Sequence, residues 1–277
     1  MGFSSHISGP LAYHERPGRG PALVLLHGIG SEGRSFAALA PRLPADWRLI
    51  AWDAPGYGGS APLAADWPLA ADYAQALGGL LDRLGLGPVL LVGHSLGALV
   101  AAAFARAHPA RVARLLLASP ALGHGQARGA PLGAPAQARL DDLARLGPEG
   151  FAAARAARLI HAPETAPELV EKVRASMARI RPEGYGPAVR MLASGRLCDD
   201  LAALAVPCDV IVGRADAVTP PEAARRAHGA LPAALRGSYT EVPGAGHAIY
   251  HQAPAAFAAA LVALAAEPAA ATGERHG

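Results

Sequence analysis

The 277-residue chain has a single lysine, Lys172, two cysteines, three methionines and few aromatic residues, about 5% in all. Its basic charge is carried by scattered arginines, and 25 basic against 22 acidic residues leave a formal charge of only +3. No clustered cationic stripe exists to track a phosphate backbone, so nucleic acid is not an expected partner. Cys198 and Cys208 are too few for a disulfide scaffold, and Cys208 opens an apolar, strand-like run, so both are expected as free thiols. No stretch offers about 18 uninterrupted apolar residues, and the opening MGFSSHISGPLAYHERP has no basic region followed by an apolar one. These absences predict a cytoplasmic protein without membrane contact.

What is present is a chain with 52% hydrophobic residues, enough for one large core with an insertion. From Leu11 to His108 short apolar runs alternate with longer amphipathic stretches. Residues 22–26, 48–52 and 89–92 read as strands, and 111–118 supplies another. This is the rhythm of a parallel sheet, and apolar runs without polar alternation suit strands covered on both faces. Residues 121–200 break it with a Gly/Pro-rich stretch followed by helical pieces at 140–146, 150–160 and 167–179. Strands return at CDVIVG and at 239–242, a helix starts near Thr219-Pro220, and an Ala-rich helix covers about 253–266. The predicted fold is α/β, a mostly parallel sheet of about eight strands flanked by helices. Residues 1–120 and 201–277 form the core, 121–200 an inserted helical lid, and the residues from Pro268 a frayed tail.

The most specific local signal is Gly93-His94-Ser95-Leu96-Gly97, between the strand-like PVLLV and the helical ALVAAAFARAH. A serine on such a sharp strand-to-helix turn is held in a strained backbone conformation, with glycines where side chains would clash. A serine hydroxyl is a weak nucleophile until a base takes its proton, so a histidine and an acid are required downstream, each after a strand. His247 lies in the glycine-rich VPGAGH after the strand-like YTEV, and Asp216 in GRAD after CDVIV. Asp199 and Asp200 are the fallback acids. His27, His94 and His251 lack the glycine-rich freedom after a late strand, and Asp209 lies within a strand. The backbone N–H groups of Ile29, in the loop after ALVLL, and of Leu96, at the helix start, are assigned as the oxyanion hole.

The segments HGIG (27–30), DAPGYGGS (53–60), GHSLG (93–97), GRAD (213–216) and GAGH (244–247) are spaced as in the α/β-hydrolase superfamily, which the chain resembles over roughly residues 11–266. Within it, RPEGY (181–185) and VTPP (218–221) are similar to 3-oxoadipate enol-lactonase-like and related carboxylic-ester hydrolases. The resemblance implies a serine hydrolase that uses no metal or organic cofactor and carries a lid after the strand that follows the nucleophile helix. It also admits carbon–carbon hydrolysis of a vinylogous diketone, although relatives with that activity typically carry Trp after the catalytic histidine, where this chain has Ala248. Members with an Asp nucleophile are set aside by Ser95.

Other classes remain to be weighed. Gly28, Gly30 and Gly33 with Asp53 complete a dinucleotide-binding fingerprint on paper, but Glu32 would set negative charge beside a pyrophosphate. His247 and His251 lie four apart, yet no glutamate or third ligand accompanies them as a zinc site needs. A fold retained as a non-catalytic ligand receptor is the remaining alternative. The expected partner is a small-molecule substrate, and a homodimer is compatible with the sequence. The 121–200 segment carries 11 basic residues and nine acidic ones, an excess that would suit a carboxylated substrate. Arg174 and Arg190 are the candidate contacts, against a plainer reading as solvated helix surface.

Overall fold

The computed structural model describes residues 2–266, so the tail expected from Pro268 lies outside the described residues. The chain opens with a hairpin of β1 (Ser4–Ser8) and β2 (Leu11–Arg16). It continues through β3 (Ala22–Leu26), a 3-10 helix (Gly33–Arg42), β4 (Arg48–Trp52), α1 (Ala70–Arg83), β5 (Val89–His94), α2 (Leu96–Ala107) and β6 (Val112–Ala118). After β6 come α3 (Ala134–Arg155), α4 (Pro167–Met177), α5 (Pro182–Ser194) and α6 (Leu197–Ala202), with no strand among them. The sheet resumes with β7 (Cys208–Gly213), α7 (Pro221–Ala230) and β8 (Arg236–Val242), and the described chain ends in α8 (Ile249–Gln252) and α9 (Pro254–Ala266).

The eight strands form one sheet in the order β1-β2-β4-β3-β5-β6-β7-β8. The β1/β2 and β2/β4 pairs are antiparallel, and every other pair is parallel. Every residue of β5 and β7 is buried, which requires helices on both faces. One group of helices, α1, α2, α6 and α7, packs in succession along the sheet, while the 3-10 helix, α8 and α9 pack together against β4, β6 and β7. The hairpin was not read from the sequence. β1 (SSHIS) is almost wholly exposed at the sheet edge, and β2 buries polar His14 and Arg16, so neither strand shows an apolar run. Arg16 is held inside by the carbonyl oxygens of Ala40, Leu43, Pro44 and Trp47, which accept from its two terminal nitrogens.

α3 is broken at Gly147, whose φ of 65° and ψ of 173° are not helical and which precedes Pro148. The break folds the second half of α3 back, so that Phe151 packs edge-on against Tyr185 of α5, with ring centroids 5.3 Å apart. Several contacts tie the 121–200 segment to the core, among them Arg181 donating to Ser60 O at 2.7 Å. Glu32, after β3, pairs with Arg179, and the backbone of Gly184 lies directly against that of Gly56.

Candidate active site

The parallel strands β3, β5 and β7, together with β8, end on one edge of the sheet, and the loops that leave those ends carry the chemistry-bearing side chains. At the end of β5 the chain must turn from strand to helix within one residue. Ser95 makes that turn with φ 53° and ψ −114°, a left-handed conformation that L residues rarely adopt. The flanking glycines are required by space. A Cβ on Gly93 would lie 2.5 Å from the Gly97 carbonyl oxygen, and one on Gly97 would lie 2.4 Å from that of Leu26. The Ser95 N–H donates to Ala118 O at 2.9 Å and Ala121 N–H donates to Ser95 O at 3.2 Å, so β6 fixes the turn from both sides.

His247 and Asp216 meet beside it. The His247 Nδ1–H donates to Asp216 Oδ2 at 2.8 Å, and both side chains are almost fully buried. Because a carboxylate only accepts, this contact places the ring proton on Nδ1 and leaves Nε2 as an acceptor. Asp216 Oδ1 accepts from the backbone N–H groups of Val218 and Thr219 at 2.8 and 2.9 Å. Burial by itself raises the Asp216 carboxyl, but the hydrogen bond and charge of His247, with those two N–H groups, outweigh it and hold the carboxyl below its ordinary value. The carboxyl is therefore ionised at neutral pH. Ser95 and His247 line one cavity without a direct hydrogen bond between them; such contacts commonly tighten only in the substrate complex.

Three supporting contacts had no signature in the sequence. Thr219, expected only as a helix start, has its Oγ1 3.0 Å from Asp216 Oδ2, 3.1 Å from His247 Nδ1 and 2.9 Å from Ser119 O, so it bridges the pair to the loop after β6. α7 itself starts two residues later, at Pro221. His94 donates from Nε2–H to the backbone carbonyl of His247 at 2.9 Å, and Tyr250 stands edge-on to the His94 ring at 4.8 Å. Burial, followed by the repulsion of nearby His247, pushes His94 down to about 3, so the ring is neutral. Its buried Nδ1 has no partner among the described residues. Tyr57 donates from its hydroxyl to Ile29 O at 2.7 Å and fixes the loop after β3.

That loop holds Ile29 against the cavity opposite Leu96, and neither backbone N–H has a protein acceptor among the described residues. Leu96 is the first residue of α2, where N–H groups lack intrahelical partners. His27 accepts from Ala54 N–H at Nε2 (3.0 Å) and donates from Nδ1–H to Gly28 O (2.8 Å), joining the loops after β3 and β4. The residues of the dinucleotide fingerprint have other tasks. Asp53 is buried and accepts from Gly33 N–H at 2.9 Å and from His14, while Glu32 faces Arg179. His251 lies in α8, and among the described residues no three His, Cys, Asp or Glu side chains converge as a metal site requires.

The cavity has a volume of about 330 Å³ and lies between these loops and the helices of the 121–200 segment. Arg174 and Arg190, the candidate substrate contacts, do not line it. Arg174 is on the outer surface, where Glu171 and Glu149 each approach it at 2.7 Å. The arginines that do line the cavity are Arg139, Arg155 and Arg158. Helical spacing alone does not say which arginine faces inward when the helix is broken, as α3 is at Gly147.

With the geometry in place, comparison with known proteins is direct. The alpha/beta hydrolase family model matches residues 23–260. An uncharacterized protein of Mycobacterium tuberculosis is 31% identical over 264 residues, covering 87% of this chain and 74% of its own length. A thermophilic esterase from Thermogutta terrifontis superposes with a TM-score of 0.79 at 28% identity, covering 94% of this chain and 97% of that one. The enol-lactonase of Burkholderia xenovorans shares the fold, with a TM-score of 0.82 at 23% identity over 95% of this chain and 100% of that one. The match spans the sheet, the loops at its carboxyl edge and the helices between β6 and β7, and the chain belongs to the alpha/beta hydrolase family.

Proposed function

We propose that the protein hydrolyses a small carboxylic ester, thioester or lactone through an acyl-enzyme, with Ser95 as nucleophile, His247 as general base and Asp216 as the acid that orients the histidine. The observation that carries this reading is the 2.8 Å contact from His247 Nδ1 to a buried, ionised Asp216, which leaves Nε2 free to accept a proton at the cavity wall that also holds Ser95. His247 takes the Ser95 proton as the hydroxyl oxygen attacks the carbonyl. The N–H groups of Ile29 and Leu96 hold the oxyanion, the imidazolium returns the proton to the leaving group, and water repeats the sequence to release the acid. None of these steps requires a metal or organic cofactor.

The helices between β6 and β7 act as a lid that covers the nucleophile and shapes the acyl and leaving-group pockets. Support for an ester comes from the esterase of Thermogutta terrifontis, solved with malate bound. A 2-hydroxy-6-oxononadienedioate/2-hydroxy-6-oxononatrienedioate hydrolase of Pseudomonas putida is 39% identical over only 111 residues, 39% of this chain, and keeps carbon–carbon cleavage as the second reading. The test is turnover of a short p-nitrophenyl ester by wild type and Ser95→Ala, with a vinylogous diketone alongside. Loss of ester hydrolysis in a folded Ser95→Ala protein is expected. Near-wild-type activity of that variant would remove Ser95 as nucleophile, and turnover of the diketone alone would transfer the assignment to the second reading.

A further inference from the structure

The charges around the cavity are one-sided. Although the chain carries 22 acidic residues against 25 basic ones, Arg139, Arg155 and Arg158 line the cavity and, among the described residues, no aspartate or glutamate does. The three arginines differ in what holds them. Arg155 is paired with Asp142 at 2.8 Å and lies over the Phe151 ring at 4.6 Å, so its charge is spoken for within the lid. Arg139 and Arg158 have no carboxylate within salt-bridge distance among the described residues. Arg139 is half-buried in α3, and Arg158 is more exposed, in the turn that follows it. Arg139 and Tyr185 line the same cavity. Burial raises the Tyr185 phenol, and the charge and hydrogen bond of Arg139 oppose the rise, so the guanidinium stands beside that hydroxyl.

The half-buried guanidinium of Arg139, facing an otherwise apolar space, has lost part of its water without gaining a carboxylate, and exposed Arg158 adds a second positive charge at the same cavity. A carboxylate matches its planar fork in two parallel hydrogen bonds. We propose that Arg139 and Arg158 bind a carboxylate of the substrate, so that the preferred substrate is an anionic ester, one with a free carboxylate a few bonds from the carbonyl that Ser95 attacks. This rests on Ser95 as the nucleophile and extends it to substrate class. Arg139 holds the anion from α3 and Arg158 from the turn that follows α3.

The experiment compares matched pairs of esters that differ only in whether the distal carboxyl is free or methylated. In one pair, p-nitrophenyl hydrogen glutarate and its methyl ester, the carboxyl is on the acyl side. In the other, carboxymethyl butyrate and methoxycarbonylmethyl butyrate, it is on the alcohol side. Charge-assisted hydrogen bonds of this kind predict a preference in kcat/KM of about ten- to a hundredfold for the free carboxylate in at least one pair. That preference falls by about tenfold in Arg139→Gln and in Arg158→Gln, and shrinks in 1 M salt. Arg145→Gln, a change on the exposed side of α3, leaves the ratio alone. If Arg139→Gln does not fold, Arg158→Gln carries the test. A ratio below about threefold in both pairs, or one indifferent to Arg139→Gln and Arg158→Gln, overturns the proposal while leaving an ester hydrolase in place. Calorimetric binding of glutarate to Ser95→Ala, expected to weaken at least tenfold on adding Arg139→Gln, reads the anion site without turnover. If no ester is hydrolysed, the ester reading fails, and this arm alone decides the anion site: binding that is absent, or unchanged by Arg139→Gln, overturns it.

Discussion

Replacing Asp216 by Asn changes one atom in a group that accepts four hydrogen bonds, and the structure dictates how the amide must sit. Oδ1 receives two backbone donors, from Val218 and Thr219, while Oδ2 faces His247 Nδ1 and the Thr219 hydroxyl. An amide has one acceptor oxygen. Turned toward His247, it would leave two buried N–H groups facing an NH2, at a cost of about 1–3 kcal/mol for each unsatisfied donor. The opposite orientation is therefore favoured by roughly 2–6 kcal/mol, with Thr219 Oγ1 free to donate to Ser119 O. In it the amide NH2 donates to His247 Nδ1, the ring proton moves to Nε2, and the ring no longer accepts from Ser95. The expected loss in kcat is on the order of 10⁴, as found when a serine-protease triad is altered in the same way, or about 5.5 kcal/mol of transition-state stabilisation. The assay is steady-state hydrolysis of p-nitrophenyl acetate, with Ser95→Ala as the floor and a melting curve to show that the variant is folded. A kcat within about tenfold of wild type would refute the tautomer argument. Asp200→Asn provides the comparison, because Asp200, in α6, pairs with Arg106 of α2. If it were the more damaging change, the acid would be misassigned.

Two further outcomes follow from the packing. His94 is neutral when folded, with its pKa lowered to about 3, whereas the unfolded chain binds a proton below the ordinary 6.5, so its contribution is intact above 6.5 and is lost as pH falls toward 3. At pH 5 this amounts to about 2 kcal/mol. Urea unfolding at pH 7 and pH 5 should show wild type losing about that much more stability than His94→Gln, and equal losses would contradict the assignment. Gly184→Ala would set a Cβ 2.1 Å from Gly56 O, where Gly56 itself has φ 84°. Separating those backbones should cost about 1–3 kcal/mol and lower Tm by several degrees. KM should rise as well, because α5 carries Tyr185 and Leu192 to the cavity; an unchanged Tm would show that the contact yields freely.

How much of this was legible in the sequence depended on whether a feature was local. The β3, β4 and β7 strands are covered on both faces and read as mainly apolar runs, broken only by Arg48 and Asp209, so residues 22–26, 48–52 and 208–213 are visible to the residue. The turn at Ser95 was legible because its constraint acts within five residues, through glycines that cannot carry a Cβ. The hairpin β1–β2 was not, since its buried arginine and histidine are held by carbonyl groups and a carboxylate that lie distant in sequence. Thr219 shows the same limit. Its sequence context says helix start, and only the fold brings its hydroxyl, three residues from Asp216, to His247, 28 residues away. The arginines at the cavity were the hardest to choose, because ten arginines in residues 121–200 are equivalent in composition and the break at Gly147 decides which turn of α3 faces the core.

The pattern of neutral and charged groups gives the site its sign. His27 and His94 are buried beside Ser95 and burial lowers both, so two imidazoles next to the nucleophile contribute dipoles and no charge. Asp216 is ionised but stands behind His247, where its charge is answered by the ring and by two backbone N–H groups rather than presented to the cavity. Among the described residues, the charged side chains at the cavity wall are arginines. In the proposed mechanism, negative charge developing on the carbonyl oxygen would meet the N–H groups of Ile29 and Leu96 in the field of these arginines, which would favour the tetrahedral intermediate over the planar ester. The same field would discriminate among substrates before any chemistry. A quaternary-ammonium ester would face three guanidinium groups, and such a cation should compete poorly with a neutral ester of the same size, while a carboxylated one gains from the contacts that repel it.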